Sequence, residues 1–258
     1  GSLGTPILKA FDLTVSATGL NEKTLKRLGI PYMVTTVNRN DHASYYPGAT
    51  PLTLKLIFNK EGDILGAQAI GYKGVDKRID IIATAIKGNL KVWDLQEVEV
   101  AYAPPYNSAK DPVNIAGYAA ENMINGEHET FRYFEIDELL QDSNYQLLDV
   151  RTKMENRLGT IKDSINIDVN ELRDNLGSLN RDKTYLVFCQ VGLRGYLAYR
   201  ILVQNGFKVK NLDGGYRLWS HTVQEQENKN IFKENNFKHK DLNSFEKVKE
   251  LVDEEKEV

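Results

Sequence analysis

The run Tyr185-Leu-Val-Phe-Cys189 is apolar on both faces, and the short loop Gln190-Val-Gly-Leu-Arg194 follows it at once. A strand that is apolar all round belongs in the middle of a parallel sheet covered on both sides. The next stretch, 195–205, has Leu197, Ile201 and Leu202 at helical spacing. A buried strand that feeds a helix through a tight loop restricts this half of the chain to a layered α/β fold, a parallel sheet flanked by helices. Gln146-Leu-Leu-Asp-Val150 reads as a second buried strand, and a helix is predicted over Glu171 to Leu176.

The first half has another rhythm. Leu52 to Phe58 and Ile64 to Ile70 alternate around Asn59-Lys-Glu-Gly-Asp63, a hairpin signal. Tyr32 to Asn38 reads as a strand, and 21–28 as a short helix stopped by Gly29. Ile79, Ile82, Ala83 and Ile86 fall on one helical face that ends at Gly88. Asp111-Pro112 is an N-cap followed by proline at the first helical position, opening a helix with Val113, Ala116, Ala120 and Met123 inward. An antiparallel hairpin with helices grouped around it predicts an α+β domain over 1–125. Asn125-Gly126-Glu127-His128 is the expected boundary, and 129–224 the α/β domain. The tail 225–258 is charged and expected to be partly helical: Asn243 with Glu246 reads as a capping box ahead of Phe245, Val248, Leu251 and Val252.

Acidic and basic side chains balance in each folded half, so the net charge of −3 falls on the tail. Neither half has the basic excess that nucleic-acid binding requires, and nucleic acid is not an expected partner. No apolar run is long enough to span a membrane, and no export signal opens the chain. A single cysteine excludes an internal disulfide and a Cys-rich zinc site, so a cytoplasmic location is expected. Gly1-Ser2 has the look of a cloning remnant, so a fragment is expected. No metal site is expected either: His42 and His128 lack a second candidate ligand at metal spacing and read as surface residues.

The one thiol stands where a ligand would bind, at the carboxyl end of a buried strand. A tight loop there turns backbone N–H groups inward as an anion nest, and the next helix adds its positive end. Gly192 lets the backbone curl, and Arg194 supplies a permanent cation suited to oxyanions. Such a setting favours the thiolate, the nucleophilic form of cysteine. Gln190, Val191, Gly192, Leu193 and Gly195 then form the cradle for Cys189 and for any sulfur it accepts. Arg194 lies five positions after Cys189, whereas cysteine phosphatases use one more intervening residue, and Gly195 stands where their arginine would be. A sulfur acceptor is therefore favoured over a phosphatase.

From Phe131 to Trp219 the sequence resembles the rhodanese family. Leu147-Leu-Asp-Val-Arg151 resembles its opening strand, Gly159-Thr-Ile-Lys-Asp-Ser-Ile-Asn166 its Gly-His-Ile-Pro-Gly-Ala-x-Asn stretch, and Leu212-Asp-Gly-Gly-Tyr-Arg-Leu-Trp219 its closing motif. The resemblance implies a sulfurtransferase whose Cys189 carries sulfur as a persulfide, with Arg194 lining the loop and Asp149 and Arg151 as rim or structural residues. Small-molecule sulfur donors and thiol acceptors are the implied partners. Two departures stand out. Thr160 replaces the common His, and Gly195 replaces the Ser or Thr that often follows the loop arginine, a change expected to alter substrate preference.

The first domain carries Tyr102-Ala-Pro-Pro-Tyr106 and, upstream, His42-Ala-Ser-Tyr-Tyr-Pro-Gly48. Two prolines predict an extended, rigid loop that presents tyrosines. With Phe11-Asp-Leu-Thr14, Gly19-Leu-Asn-Glu-Lys-Thr24 and Asp76-Lys-Arg-Ile-Asp80, these segments resemble the dimerisation domain of coenzyme A-disulfide reductases, some of which carry a fused rhodanese domain. The resemblance implies a homodimer in which two tyrosines help with the coenzyme A thiol of the partner subunit. Tyr45 and Tyr102 match those positions, with Tyr46 and Tyr106 as near alternatives. No Gly-x-Gly-x-x-Gly turn occurs, so this chain alone is expected to bind no cofactor; FAD, NAD(P)H and coenzyme A are implied for the full-length family protein. Disulfide reduction by this chain alone is not expected. The alternative is a non-catalytic dimerisation or docking fragment.

Overall fold

Alternating apolar residues build a five-stranded antiparallel sheet from the first half of the chain. Its strands are β1 (Ile7–Ala10), β2 (Leu13–Gly19), β3 (Met33–Asn40), β4 (Pro51–Phe58) and β5 (Ile64–Gly71), in spatial order β1-β2-β5-β4-β3. The β4–β5 hairpin closes at the expected turn, where the Asp63 amide donates to Asn59 Oδ1 at 2.8 Å. Helix α1 (Glu22–Leu28) starts at Asn21 and stops at Gly29; α2 (Val75–Lys87) stops at Gly88. After the short α3 (Asp94–Glu97) comes α4 (Pro112–Ile124), with Asp111 and Asn114 forming a capping box at its start. Leu52, Leu54 and Leu56 of β4 pack with Ile79 and Ile82 of α2 and with Val113, Ala116 and Ala120 of α4, all buried. Each large side chain of this kind contributes about 1.5–3 kcal/mol by leaving water.

The second half is a parallel sheet of β6 (Thr130–Phe131), β7 (Tyr145–Asp149), β8 (Ile165–Asn166), β9 (Thr184–Phe188) and β10 (Lys208–Leu212). Spatial order is β6-β10-β9-β7-β8, so the all-apolar strand β9 is the central one. Helices α5 (Ile136–Leu139), α6 (Lys153–Arg157) and α7 (Leu193–Gln204) accompany it. The helix expected over Glu171 to Leu176 is absent: that stretch is a series of turns ending in a 3₁₀ turn at Leu176–Ser178. Asp168 caps the Asn170 amide at 2.9 Å, and the Asn175 side chain occupies the Glu171 carbonyl at 2.8 Å. Polar side chains that bond the backbone in this way compete with helix formation.

The computed structural model describes residues 2–223. The tail with its expected capping box at Asn243 and Glu246 lies outside the described residues. Both sheets belong to one unit, 1–218; from 219 a second unit begins, in which Thr222 Oγ1 donates to the Trp219 carbonyl. Among the described residues no helix is long and apolar enough to cross a membrane. Within the first unit, β3 and α4 face the 191–193 loop, α7 and the end of β10. A cavity of about 280 Å³ remains between them, bordered by Val37, Ile115, Leu193 and Leu212.

Candidate active site

Cys189 follows the last residue of β9 and is fully buried, packed with Leu148, Val150, Val187 and Ala198. The mouth expected at the strand end is therefore closed over the sulfur. The loop does turn an amide onto it: the Gly192 N–H donates to Cys189 Sγ at 3.1 Å. Gly192 has φ 113°, a conformation open to glycine and strained for other residues, and that twist aims the amide. Leu193 lies exposed on the outside of the loop, whereas Gln190 and Val191 are half-buried.

Arg194 departs from expectation. Its guanidinium does not stand open to an incoming oxyanion but forks onto Glu155, Nη1 to Oε2 at 2.7 Å and Nη2 to Oε1 at 2.6 Å. The hydrogen bond from Arg194 holds the Glu155 carboxyl down at about 2, against the cost of partial burial. Glu155 is fixed on its own side by the Thr152 amide and hydroxyl, both at 3.0 Å, in a capping box that starts α6. Glu155 was not singled out from the sequence. The Thr152-x-x-Glu155 spacing is the signal that marks its position, although nothing local says that it meets Arg194.

Of the rim or structural places expected for Asp149 and Arg151, the buried one is found, each residue being at most 1% exposed. Arg151 Nη2 donates to Asp149 Oδ2 at 2.7 Å, and Nη1 reaches Gln190 Oε1 at 3.2 Å, tying the opening strand to the cysteine loop. The guanidinium also stacks over Tyr216 at 4.0 Å. Burial alone would raise Asp149, but hydrogen bonds from Arg151 and Asn156 overcome it and hold the carboxyl below its ordinary range. Thr160 donates its hydroxyl to Asp149 at 2.9 Å, so it serves this ion pair. At Gly195 a Cβ would meet Asn211 Oδ1 at 2.2 Å, so a larger residue there has to move the Asn211 side chain. Asn211 in turn donates to the Gly192 carbonyl at 3.4 Å and to His128 Nε2 at 3.0 Å.

Neither histidine is the surface residue expected. His42 is buried against Asp41 at 2.7 Å, and His128 is wedged edge-on between Tyr196 and Tyr199 at 4.9 and 5.3 Å. Aromatic edges and a buried carboxylate account for both positions, which polarity alone could not reveal.

At the other site, Tyr45 and Tyr102 come together from positions far apart in sequence, their hydroxyls 3.3 Å apart and both rings well exposed. The Tyr102 hydrogen bond raises Tyr45 above the usual phenol range. Tyr46 turns instead to His42, edge-on at 6.0 Å. The Pro104-Pro105 pair sits in a tight turn and not in an extended loop, with Tyr106 N donating to the Ala103 carbonyl at 2.9 Å. The fully buried Arg78 joins the two tyrosine loops. It donates to the Asp41 carbonyl at 2.7 Å, to Asn107 Oδ1 at 3.0 Å and to Asp111 at 3.0 Å.

A thiol at the end of a central parallel strand and an antiparallel domain with paired phenols define a two-domain protein with a candidate site in each domain. The family model of the rhodanese-like domain matches residues 135–222, and that of the pyridine nucleotide-disulphide oxidoreductase dimerisation domain matches 5–112. Residues 5–112 are thus a dimerisation domain of the pyridine nucleotide-disulphide oxidoreductases and residues 135–222 a rhodanese-like domain, matching a structure of the coenzyme A-disulfide reductase/rhodanese type. The coenzyme A disulfide reductase of Staphylococcus epidermidis is 43% identical over 122 residues, which cover 47% of this chain and 27% of that protein. The structure of reduced CoADR-RHD from Bacillus anthracis aligns with a TM-score of 0.85 at 55% identity, covering 87% of this chain and 40% of that one. A NAD-dependent persulfide reductase from A. fulgidus aligns with a TM-score of 0.78 at 39% identity, covering 85% and 39%. The chain thus spans well under half the length of these relatives.

Proposed function

We propose that the chain moves sulfane sulfur through a persulfide on Cys189, as the sulfur-carrying part of a homodimeric, cytoplasmic flavoprotein of the coenzyme A-disulfide reductase type. The observation that carries this reading is the Gly192 N–H directed at Cys189 Sγ, at the end of the central strand of a rhodanese-like domain. In the first step the Cys189 thiolate attacks the outer sulfur of a donor. The donor's S–S bond breaks, and its electron pair leaves with the departing sulfite or thiolate. In the second step a nucleophile, cyanide in vitro or a thiol in the cell, takes the outer sulfur, and the electron pair returns to Cys189. The Gly192 amide follows the negative charge onto the added sulfur. Because Sγ is closed off, loop 190–194 must shift for each transfer. A relative named for persulfide reduction supports the sulfur chemistry.

In this reading Gln190, Val191, Leu193 and Gly195 shape the cradle, Arg194 closes it, and Asp149 with Arg151 holds it in place. Tyr45 and Tyr102 serve the coenzyme A thiol of the whole protein, and FAD and NAD(P)H bind outside this chain. The test is the intact mass after incubation with thiosulfate and, separately, with an uncharged alkyl persulfide. One added sulfur on the wild type and none on Cys189→Ala is the expected result. No gain from either donor, or the same gain on Cys189→Ala, rejects the proposal.

A further inference from the structure

Arg194 is the arginine of the Cys189 loop, the cation that a negatively charged donor would meet, and it is already paired. Both terminal nitrogens of Arg194 donate to Glu155, at 2.7 and 2.6 Å, and Glu155 is anchored by two bonds from Thr152. Bidentate, charge-assisted pairs of this kind are the strong ones. Besides Glu155, the charges that act on Arg194 are Cys189 and Asp168, both negative when ionised. Two other cations of this region are paired elsewhere: Arg151 with Asp149 at 2.7 Å, and Lys153 of α6 with Glu171 at 3.7 Å. Arg194 thus already faces the Glu155 carboxylate, with Asp168 and Cys189 near it, before any donor arrives.

We propose that Glu155 is a specificity-determining residue: by occupying the fork of Arg194, it sets the Cys189 loop against dianionic sulfane donors such as thiosulfate and in favour of donors whose transferred sulfur bears at most one charge. The proposal rests on the sulfurtransferase reading above and deepens it. For thiosulfate, attack by the Cys189 thiolate gives a persulfide anion and expels sulfite, so three negative charges must share the loop in the transition state. For an alkyl persulfide the same attack on the outer sulfur gives protonated Cys189 persulfide and expels one thiolate, with one negative charge throughout. The difference is the charge that a free Arg194 would offset and a paired one offsets less.

Sulfur loading of Cys189 is measured as kcat/KM for thiosulfate and for an uncharged alkyl persulfide, on wild type and Glu155→Gln. The ratio of thiosulfate to alkyl persulfide is expected to rise about tenfold in Glu155→Gln, the scale of one partly exposed charge contact removed. Glu155→Asp, which keeps the charge, is expected to stay near the wild-type ratio. A second measurement needs no variant: rising sodium chloride should increase thiosulfate loading of the wild type relative to the alkyl persulfide, because salt screens repulsion. A ratio unmoved in Glu155→Gln, or thiosulfate loading that is flat or falls with salt, overturns the assignment of Glu155. Loading by neither donor overturns the sulfurtransferase reading instead, so the two failures are distinct.

Discussion

Asp213 accepts two hydrogen bonds from Thr36, one from its backbone amide at 2.6 Å and one from its hydroxyl at 2.7 Å, and so joins the end of the parallel sheet to strand β3 of the antiparallel one. Next to it, Asn38 donates to the Gly214 carbonyl at 3.1 Å. The segment that makes these contacts also holds the thiol loop, because the Tyr216 and Arg217 amides donate to the Cys189 and Gln190 carbonyls at 2.8 and 3.0 Å. One short piece of the closing rhodanese motif therefore touches both the dimerisation domain and the Cys189 loop.

Asp213 is buried, and that burial raises its carboxyl above the ordinary range against the pull of Arg132 and Thr36. Its removal leaves the Thr36 amide and hydroxyl without their acceptor and takes from Arg132, which still pairs with Glu22 at 3.1 Å, a second carboxylate at 3.6 Å. Asp213→Ala is expected to lower stability by about 2–3 kcal/mol, the scale of leaving buried donors without their acceptor. Thr36→Val keeps the backbone donor and should cost about 1 kcal/mol. Urea midpoints decide the matter; equal, negligible losses would show that the contact does not hold the domains together.

His128 predicts a dependence on pH. Burial, with a smaller push from Arg200, lowers it from 6.5 to about 4. The Asn211 Nδ2 group, which also serves the Gly192 carbonyl, faces its Nε2, so a protonated ring would set donor against donor. Because the folded-state value is lowered, the unfolded chain binds the extra proton first as pH falls. Stability should be intact above about 6.5, decline between about 6.5 and 4, and level off below, with a total on the order of 3 kcal/mol. His128→Gln cannot take up that proton. The difference between wild type and His128→Gln, followed by thermal denaturation across this range, should show the slope; two parallel curves would refute it.

What could be read in the sequence was what is local. The β4–β5 hairpin, the capped start of α4 at Asp111 and the apolar strand β9 all carry their signals within a few residues. Strands β1 and β2 escaped notice because β1 buries nothing: Ile7 and Leu8 are 57% and 63% exposed, and backbone pairing alone holds them. In the cysteine loop, the position of Cys189 at the end of β9 follows from the sequence pattern, whereas the partner of Arg194 does not. Glu155 lies 39 positions earlier, on a helix of five residues whose place is set by the Asp149–Arg151 pair beneath it. The Tyr45–Tyr102 pairing spans 57 positions, and only family resemblance pointed to it.

Gly215 offers the sharpest test of how the closing motif acts on the thiol. Its φ is 64°, and a Cβ there would stand 2.7 Å from the Cys189 carbonyl oxygen and 2.9 Å from the Val191 amide nitrogen. Alanine must therefore push the backbone of the loop and not a flexible side chain. Gly206 is the control: its φ is 80°, yet a Cβ would meet nothing closer than an Arg181 side-chain atom at 3.7 Å. Gly206→Ala should cost only the backbone strain, about 1 kcal/mol, and leave sulfur loading of Cys189 unchanged. Gly215→Ala should cost more, about 2–3 kcal/mol, and slow loading at least tenfold at temperatures where the protein stays folded, because the Gly192 amide no longer meets Sγ. Stopped-flow loading followed by mass spectrometry, beside denaturation of both variants, separates the two effects. If Gly215→Ala loads sulfur as fast as Gly206→Ala, the closing motif supports the fold alone and does not aim the loop.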